Sequence, residues 1–317
     1  MKTERLAIID LGTNTFHLLI AETDGNKIQP VYVEKVPVRI GKGGINQGFI
    51  SEDACERAIY TLSGFKHKIN EFHTDKIYAT ATSAFRNARN GAALAEKIKS
   101  ITGIEILIIS GDREAELIYF GVKEALKLGE EKSLIVDIGG GSVEFILANE
   151  NTIFWKQSFE IGGQRLMDLF QKTDPIKEEE VLALQQYLSE KLEPLSAALE
   201  KFPTPVLVGS AGSFDTLSDI DLKKKGFDFS VETKKEYELT LHDFQLLYHE
   251  IISKDRAARM EIPGMIELRV DMIVVATVLI RYIVERYNMK RLRVSTYALK
   301  EGVLSRILKG ETIIANR

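Results

Sequence analysis

The fold is decided by a stretch that occurs twice in the chain, Ile8-Ile-Asp-Leu-Gly-Thr-Asn-Thr-Phe-His-Leu-Leu-Ile-Ala21 and Ile135-Val-Asp-Ile-Gly-Gly-Gly-Ser-Val-Glu-Phe-Ile-Leu-Ala148. The copies are 127 residues apart, so that Asp10 aligns with Asp137 and Gly12 with Gly139. In each copy a β-rich run ends at an aspartate, a glycine-containing turn follows, and a second β-rich run begins. Because there are only two copies at so long a spacing, the repeat predicts two similar α/β domains that face each other rather than a solenoid.

The sequence around the repeat predicts alternating strands and helices, which is the pattern of an α/β fold. The predicted strands are Leu6–Ile9, Phe16–Ile20, Val31–Val33, Lys76–Thr80, Glu105–Ile109, Ser133–Ile138, Val143–Ala148, Thr152–Ser158, Val206–Val208 and Leu292–Ser295. The predicted helices cover about 51–70, 84–99, 112–127, 161–170, 177–200, 213–220 and 298–309, with two or three more between 241 and 287.

The composition is that of a globular protein and excludes several classes. The 317 residues suggest two domains, are 44% apolar and carry a net charge of −4, which argues against both disorder and a DNA-binding footprint. The single cysteine, Cys55, excludes an intrachain disulfide. The longest apolar run, Met272–Ile280, is shorter than the ~20 residues of a membrane helix, and the first residues lack a signal-peptide pattern, so a reducing cytoplasm is the expected location.

The two repeated turns have the chemistry of anion-binding sites. Glycine lets phosphate oxygens approach a concave set of main-chain N–H groups, and the hydroxyls of Thr13, Thr15 and Ser142 add donors. Asp10 and Asp137 cannot bind phosphate directly, because like charges repel. Both fit as ligands, direct or through water, of a Mg²⁺ ion that bridges to the phosphate.

A third glycine turn, Gly209-Ser-Ala-Gly212, follows a predicted strand and precedes a predicted helix. Its amides could hold another phosphate or a sugar at the helix N-terminus. The chain contains neither a P-loop nor a Rossmann glycine motif.

These three turns resemble the two phosphate loops and the adenosine-side loop of the superfamily of actin, sugar kinases and heat-shock chaperone ATPases. More narrowly, the chain resembles the Ppx/GppA family of exopolyphosphatases and guanosine pentaphosphate phosphohydrolases. Further matching stretches, in order along nearly the whole chain, are Val38–Gly41, Ala79–Asn90, Ile109–Tyr119, Arg259–Gly264, Arg269–Asp271 and Ser295–Gly302. The resemblance implies two ribonuclease-H-like domains separated by a cleft, over residues 1–124 and 125–297, with a C-terminal helix at 298–317 that packs back on the first.

The resemblance also implies a role for individual residues. Glu114 corresponds to the general base that activates water, and Asp137 and Glu144 match acidic residues linked to the Mg²⁺ site. Arg39 and Arg86 match basic residues that line the path of the anion. The residues that match the family's phosphate-holding turns are Gly12, Thr13, Asn14 and Thr15 in the first turn and Gly139, Gly140, Gly141 and Ser142 in the second.

Elementary chemistry agrees with these roles. Hydrolysis of a phosphoanhydride needs water, a base, a metal ion that neutralises charge, and donors around the transferred group. A polyanion also needs local positive charge on an acidic protein. Arg86 and Arg89, three residues apart on one predicted helix, would share a face and supply it.

The sequence therefore predicts a Mg²⁺-dependent phosphohydrolase that removes a terminal phosphate from inorganic polyphosphate or from guanosine pentaphosphate. Polyphosphate is the first choice because the third turn is poorer in glycine and threonine than the family pattern. An ATP-dependent small-molecule kinase of the same superfamily and a non-catalytic phosphate or alarmone sensor remain alternatives. The expected partner is the phosphate substrate, with neither DNA nor a membrane, and a homodimer is compatible with the sequence.

Overall fold

Two mixed β-sheets form the framework of the protein in the computed structural model, which describes residues 4–24 and 28–311. The strands are β1 Glu4–Leu11, β2 Phe16–Thr23, β3 Ile28–Val36, β4 Lys76–Ala81, β5 Ile106–Ile108, β6 Ser133–Ile138, β7 Val143–Ala148, β8 Ile153–Phe159, β9 Val206–Ser210, β10 Glu236–Glu238 and β11 Arg291–Ser295. The helices are α1 Glu52–Glu71, α2 Ser83–Asn87, α3 Gly91–Thr102, α4 Gly111–Ala125, α5 Gly163–Phe170, α6 Glu178–Lys191, α7 Glu193–Lys201, α8 Gly212–Lys224, α9 Leu241–Ser253, α10 Arg256–Met260, α11 Ile273–Arg286 and α12 Leu299–Leu308.

The sequence repeat is a repeat of sheet topology. The first sheet has the order β3-β2-β1-β4-β5, and the second contains the matching order β8-β7-β6-β9-β11, extended by β10. In the first sheet β2 pairs antiparallel with both β1 and β3, and β4 pairs parallel with β1. In the second sheet β7 pairs antiparallel with both β6 and β8, and β9 pairs parallel with β6. The prediction of an α/β fold with two similar halves is confirmed. As a consequence, the turns after β1 and β6 occupy equivalent positions.

Three apolar clusters stabilise this arrangement. One lies within each half of the chain, and the third joins them, combining Ile8 and Leu19 of the first sheet with Ile135 and Ile146 of the second. Helices α4 and α12 contribute to the third cluster, in which the main chains of Gly121 and Ala298 come very close. A Cβ on Gly121 would lie 1.9 Å from the Ala298 carbonyl oxygen, so glycine is needed at this helix contact.

Two predicted helices are interrupted in the structure, and both interruptions have a physical cause. The helix predicted over 84–99 breaks at residues 88–90, where the Asn90 side chain bonds the main-chain N–H and C=O of Ile50 at 2.9 and 2.8 Å. The helix predicted over 177–200 divides at Leu192, because Pro194 can begin a helix but cannot donate a hydrogen bond inside one.

The C-terminal helix α12 packs on α4. The last six residues of the predicted 298–317 helix lie outside the described residues. Among residues 4–24 and 28–311, no helix combines the length and the apolar character required to cross a bilayer.

Candidate active site

The turns that follow β1 and β6 have the same main-chain geometry. In the first, the Gly12 N–H donates to the Thr15 carbonyl at 3.2 Å; in the second, the Gly139 N–H donates to the Ser142 carbonyl at 3.1 Å. A Cβ on Gly12 or on Gly139 would lie 3.0 or 3.1 Å from the carbonyl oxygen across its turn. The two turns therefore share the same hydrogen bond and the same close approach of the glycine to the facing carbonyl.

Neighbouring segments bind the carbonyls of both turns. The Arg39 and Gly41 N–H groups donate to the Asn14 and Thr13 carbonyls at 2.8 and 3.1 Å. In the second half, the N–H groups of residues 162–164 donate to the carbonyls of residues 139–141 at 2.8–3.2 Å. Because these carbonyls already accept hydrogen bonds, the main-chain groups of the turns that remain available are N–H donors. A set of N–H donors suits the binding of an anion.

The main-chain N–H groups of Thr13, Asn14, Gly140 and Gly141 donate to no other residue in the described part of the chain. The Thr13 and Thr15 hydroxyls and the Asn14 amide oxygen are buried without a hydrogen-bond partner. Buried polar groups are normally paired, so these atoms indicate a polar ligand.

The two turns also contact each other. A Cβ on Gly141 would lie 2.4 Å from the Thr13 Oγ1, and one on Gly140 would lie 2.9 Å from the Asn14 Oδ1. Residues 12–15 and 139–142, which the sequence assigns to one phosphate site, are thus brought together by the fold. Ser83 at the start of α2 also lies at this contact, 2.6 Å from the Cβ position of Gly141.

Acidic side chains lie directly beside the turns. Asp10 pairs in register with His17 on β2, and Asp137 pairs in register with Glu144 on β7. The Asp137 carboxylate accepts a hydrogen bond from the Ser210 hydroxyl at 3.0 Å, and Glu144 accepts one from the Ser158 hydroxyl at 2.6 Å. Burial lowers the pKa of His17 well below its usual value, so it adds no positive charge.

Burial and mutual repulsion raise the pKa of these carboxyls. Burial raises the pKa of Asp10 to about 7, opposed by Lys300 and reinforced by Asp137. Burial raises the pKa of Asp137 to about 6, opposed by the Ser210 hydrogen bond. The pKa of Glu144 is raised well above its usual value by burial and then by Glu114. A group of buried acids of this kind attracts a cation.

Glu114 lies in the first turn of α4, where the Ser110 hydroxyl caps the helix at the Arg113 N–H. Its side chain is only 8% exposed and binds Arg86, with 2.9 Å between Oε2 and Nη1. Burial raises the pKa of Glu114 to about 8, opposed by Arg86 and reinforced by Asp10. The structure therefore places the predicted base and the predicted anion-binding arginine in direct contact.

The other predicted basic residues are placed differently. Arg39 has a positive φ of 50° and contacts the first turn through its main-chain N–H. The prediction that Arg86 and Arg89 share a helix face is wrong, because the helix is broken between them. Arg86 lies on α2, whereas Arg89 lies in the break and donates to the Gln47 carbonyl at 3.3 Å.

The third turn packs against protein side chains at both of its glycines. A Cβ on Gly209 would lie 2.1 Å from the Phe214 ring, and one on Gly212 would lie 2.1 Å from the Arg269 guanidinium. Both glycines therefore have a packing requirement. Between them, Ala211 adopts a φ of 70°, which a glycine would adopt at lower cost.

The residues at this site fit a Mg²⁺ ion, although they do not provide a complete set of protein ligands for it. Within the described ranges, no three His, Cys, Asp or Glu side chains converge on one point, so Asp10, Asp137 and Glu144 do not form a closed set of ligands. Mg²⁺ in phosphate-handling enzymes is usually held by one or two carboxylates, with waters and substrate phosphates completing the shell. Asp10 and Asp137 at the ends of β1 and β6 match that description.

Sequence reasoning missed several polar residues at the site. Ser210 ends β9 in register with Asp137, and Ser158 lies opposite Glu144, so strand pairing was the signal that could have found them. Lys300 lies on α12, forms an ion pair with Glu301 at 2.7 Å and interacts electrostatically with Asp10. Glu160 lies just after β8 and had no signal in the sequence.

Comparisons with known proteins identify the family and the fold of the chain. A model of the Ppx/GppA phosphatase family matches residues 19–311. An exopolyphosphatase structure from Cytophaga hutchinsonii superimposes with a TM-score of 0.94 at 43% identity, covering 98% of this chain and 99% of that one. A Ppx/GppA family member from Aquifex aeolicus has a TM-score of 0.79 at 26% identity, covering 98% of this chain and 100% of that one. An inferred exopolyphosphatase of Haemophilus influenzae is 24% identical over 94% of this chain and 90% of its own length.

Proposed function

The chain belongs to the Ppx/GppA phosphatase family, and we propose that it is a Mg²⁺-dependent phosphohydrolase that releases the terminal phosphate of inorganic polyphosphate. The observation that carries this proposal is the pair of matched turns, whose carbonyls are engaged and whose N–H groups are available. The buried Glu114–Arg86 pair supplies a candidate base and a positive charge. Exopolyphosphatases among the structural and sequence relatives support the choice of substrate.

The turns bind and orient the substrate. The N–H groups of residues 13–14 and 140–141, with the hydroxyls of Thr13 and Thr15, surround the terminal phosphate. Such preorganised donors stabilise charge that spreads over the equatorial oxygens as the phosphoryl group is transferred. Arg86 adds a fixed positive charge on the side where Glu114 lies.

Glu114 accepts the proton of the attacking water. A base must be deprotonated when the water attacks, and a pKa raised to about 8 makes this carboxylate a stronger base than an exposed glutamate. The water oxygen forms a bond to the terminal phosphorus while the bridging P–O bond breaks, and the shortened polyphosphate leaves with that bridging oxygen. Asp10 and Asp137 would hold Mg²⁺, which when bound supplies positive charge to the phosphoanhydride.

Polyphosphate is favoured over guanosine pentaphosphate by the third turn. This turn resembles the adenosine-side loop of the superfamily, but it is poorer in glycine and threonine than that pattern, and Ala211 within it is held at a φ of 70°. A linear phosphate chain has no nucleoside to place there. Guanosine pentaphosphate is the second candidate substrate.

The test is phosphate release from linear polyphosphate, guanosine pentaphosphate and ATP, measured side by side with Mg²⁺ and with a chelator. We expect the fastest release from polyphosphate and loss of activity without Mg²⁺. ATP consumption that depends on an added sugar or acetate would instead identify a kinase, and tight binding without turnover would identify a sensor.

A further inference from the structure

Glu160 holds an unusual position between β8 and α5. Its carboxylate accepts hydrogen bonds from the Ser83 hydroxyl at 2.6 Å, from Arg165 Nη2 at 3.1 Å and from Arg86 Nη2 at 3.3 Å. Two guanidinium groups and a hydroxyl around one acidic group are the donor set that proteins use to bind a phosphate.

The donors around Glu160 are fixed by other contacts. Arg165 is only 10% exposed, and it donates through Nε to the Gly141 carbonyl and through Nη1 to the Ile45 carbonyl, both at 2.8 Å. Arg86 is held by the Ile109 carbonyl at 3.1 Å as well as by Glu114. An anion that replaced the Glu160 carboxylate would meet donors that are already in place.

The side chains of this cluster become more exposed from Glu114 through Arg86 to Glu160. The Glu114 side chain is 8% exposed, that of Arg86 is 17% exposed and that of Glu160 is 40% exposed. Arg86 links the two carboxylates, because its Nη1 contacts Glu114 and its Nη2 contacts Glu160. A phosphate chain whose end lies beside Glu114 would leave the site through the position of Glu160.

We propose that Ser83, Arg86 and Arg165 form a subsite for an inner phosphate of the substrate, and that the Glu160 carboxylate fills this subsite when no substrate is bound. The proposal rests on the proposed function, since it assigns a place to the second phosphate of the same chain. Glu160 then acts as an internal competitor, because a phosphate must displace it from both arginines. Its removal tightens binding of a multi-phosphate anion.

The test is calorimetric titration of the full-length protein with inorganic tripolyphosphate. The Glu160→Gln variant keeps the shape of the side chain and removes its charge. Because two partly exposed ion pairs no longer compete, we expect Kd to fall by about three- to thirtyfold. Glu105→Gln is the control. Glu105 is also ion-paired, with Lys99 at 2.7 Å, but it lies before β5, whereas the Ile109 carbonyl that binds Arg86 lies after that strand. The change should leave Kd unaltered.

Glu160→Asp provides a second variant that keeps the charge but shortens the reach to the arginines, and it should bind with an intermediate Kd. Unchanged or weaker tripolyphosphate binding by Glu160→Gln, with a melting temperature like that of the wild type, would overturn the subsite. If Glu160→Gln binds more tightly but neither protein releases phosphate from polyphosphate, the proposed function fails while the subsite stands.

Discussion

Replacing Glu114 by glutamine tests the chemistry of the site with little change in its shape. Glutamine keeps an oxygen that can accept from Arg86, but it cannot take a proton from water. General-base catalysis typically contributes about 10²–10⁴-fold, so kcat for polyphosphate should fall by that factor. Above the pKa of Glu114, about 8, polyphosphate affinity should stay equal or improve slightly, because the variant then lacks one negative charge near the anion.

The contacts around Glu114 indicate that Glu114→Gln lowers the free energy of unfolding only modestly. Arg86 keeps its bonds to the Ile109 carbonyl and to Glu160, and repulsion of Glu114 by Asp10 is relieved. The free energy of unfolding should therefore fall by no more than about 1.5–3 kcal/mol, the contribution of one hydrogen bond to a charged group. Most domains are stable by about 5–15 kcal/mol, so the variant should remain folded.

The assay measures phosphate release at saturating polyphosphate, Kd for tripolyphosphate and thermal unfolding on the same preparations. Glu116→Gln is the matched control, since Glu116 is an ion-paired glutamate two residues further along α4, 2.8 Å from Arg113. A folded Glu114→Gln protein with the kcat of the wild type would refute the role of Glu114 as the base. In the wild type, kcat/KM should rise with pH as Glu114 loses its proton, and the variant should lose that rise.

Three further changes have defined outcomes. Asp137→Asn should lower Mg²⁺-dependent phosphate release by at least about 10–100-fold, the cost seen even for residues that only support a ligand; near-wild-type release would remove Asp137 from the metal site. Because Asp10 and Asp137 have raised pKa values, the folded protein holds protons that the unfolded chain has lost. The metal-free protein should therefore unfold at lower urea concentration as the pH rises from 4 to 7, and an opposite trend would contradict the buried-acid cluster. Gly141→Ala places a Cβ 2.4 Å from the Thr13 Oγ1 and should weaken tripolyphosphate binding, whereas Gly64→Ala on α1, with no atom within 4 Å, should not; equal binding by both would argue against the paired turns.

The repeated hairpins were predictable because each is a local pattern. The strands Ser133–Ile138 and Val143–Ala148 are found with their predicted bounds, and the aligned aspartates occupy equivalent strand ends. The two similar α/β halves followed from the repeat and the resemblance, and local periodicity was enough to find their longer strands. The short strand β10 was not predicted.

The parts that could not be predicted depend on contacts between distant residues. The helix break at residues 88–90 is fixed by Asn90 bonding to Ile50, forty positions away. Glu160 has no motif of its own, and only the fold shows that its carboxylate lies between Arg86 and Arg165. The turn-forming pair Asn90-Gly91 was a sign of that break in the sequence, and the prediction of one continuous helix, which placed Arg86 and Arg89 on one face, overlooked it.

Phosphate release from linear polyphosphate in ¹⁸O-labelled water, with excess Mg²⁺ and no phosphate acceptor, tests the central claim most directly. Attack by water at the terminal phosphorus predicts that each released phosphate carries one oxygen from the solvent. It also predicts that release stops when Mg²⁺ is chelated. Release that requires an added acceptor, or phosphate that carries no solvent oxygen, would contradict hydrolysis at this site.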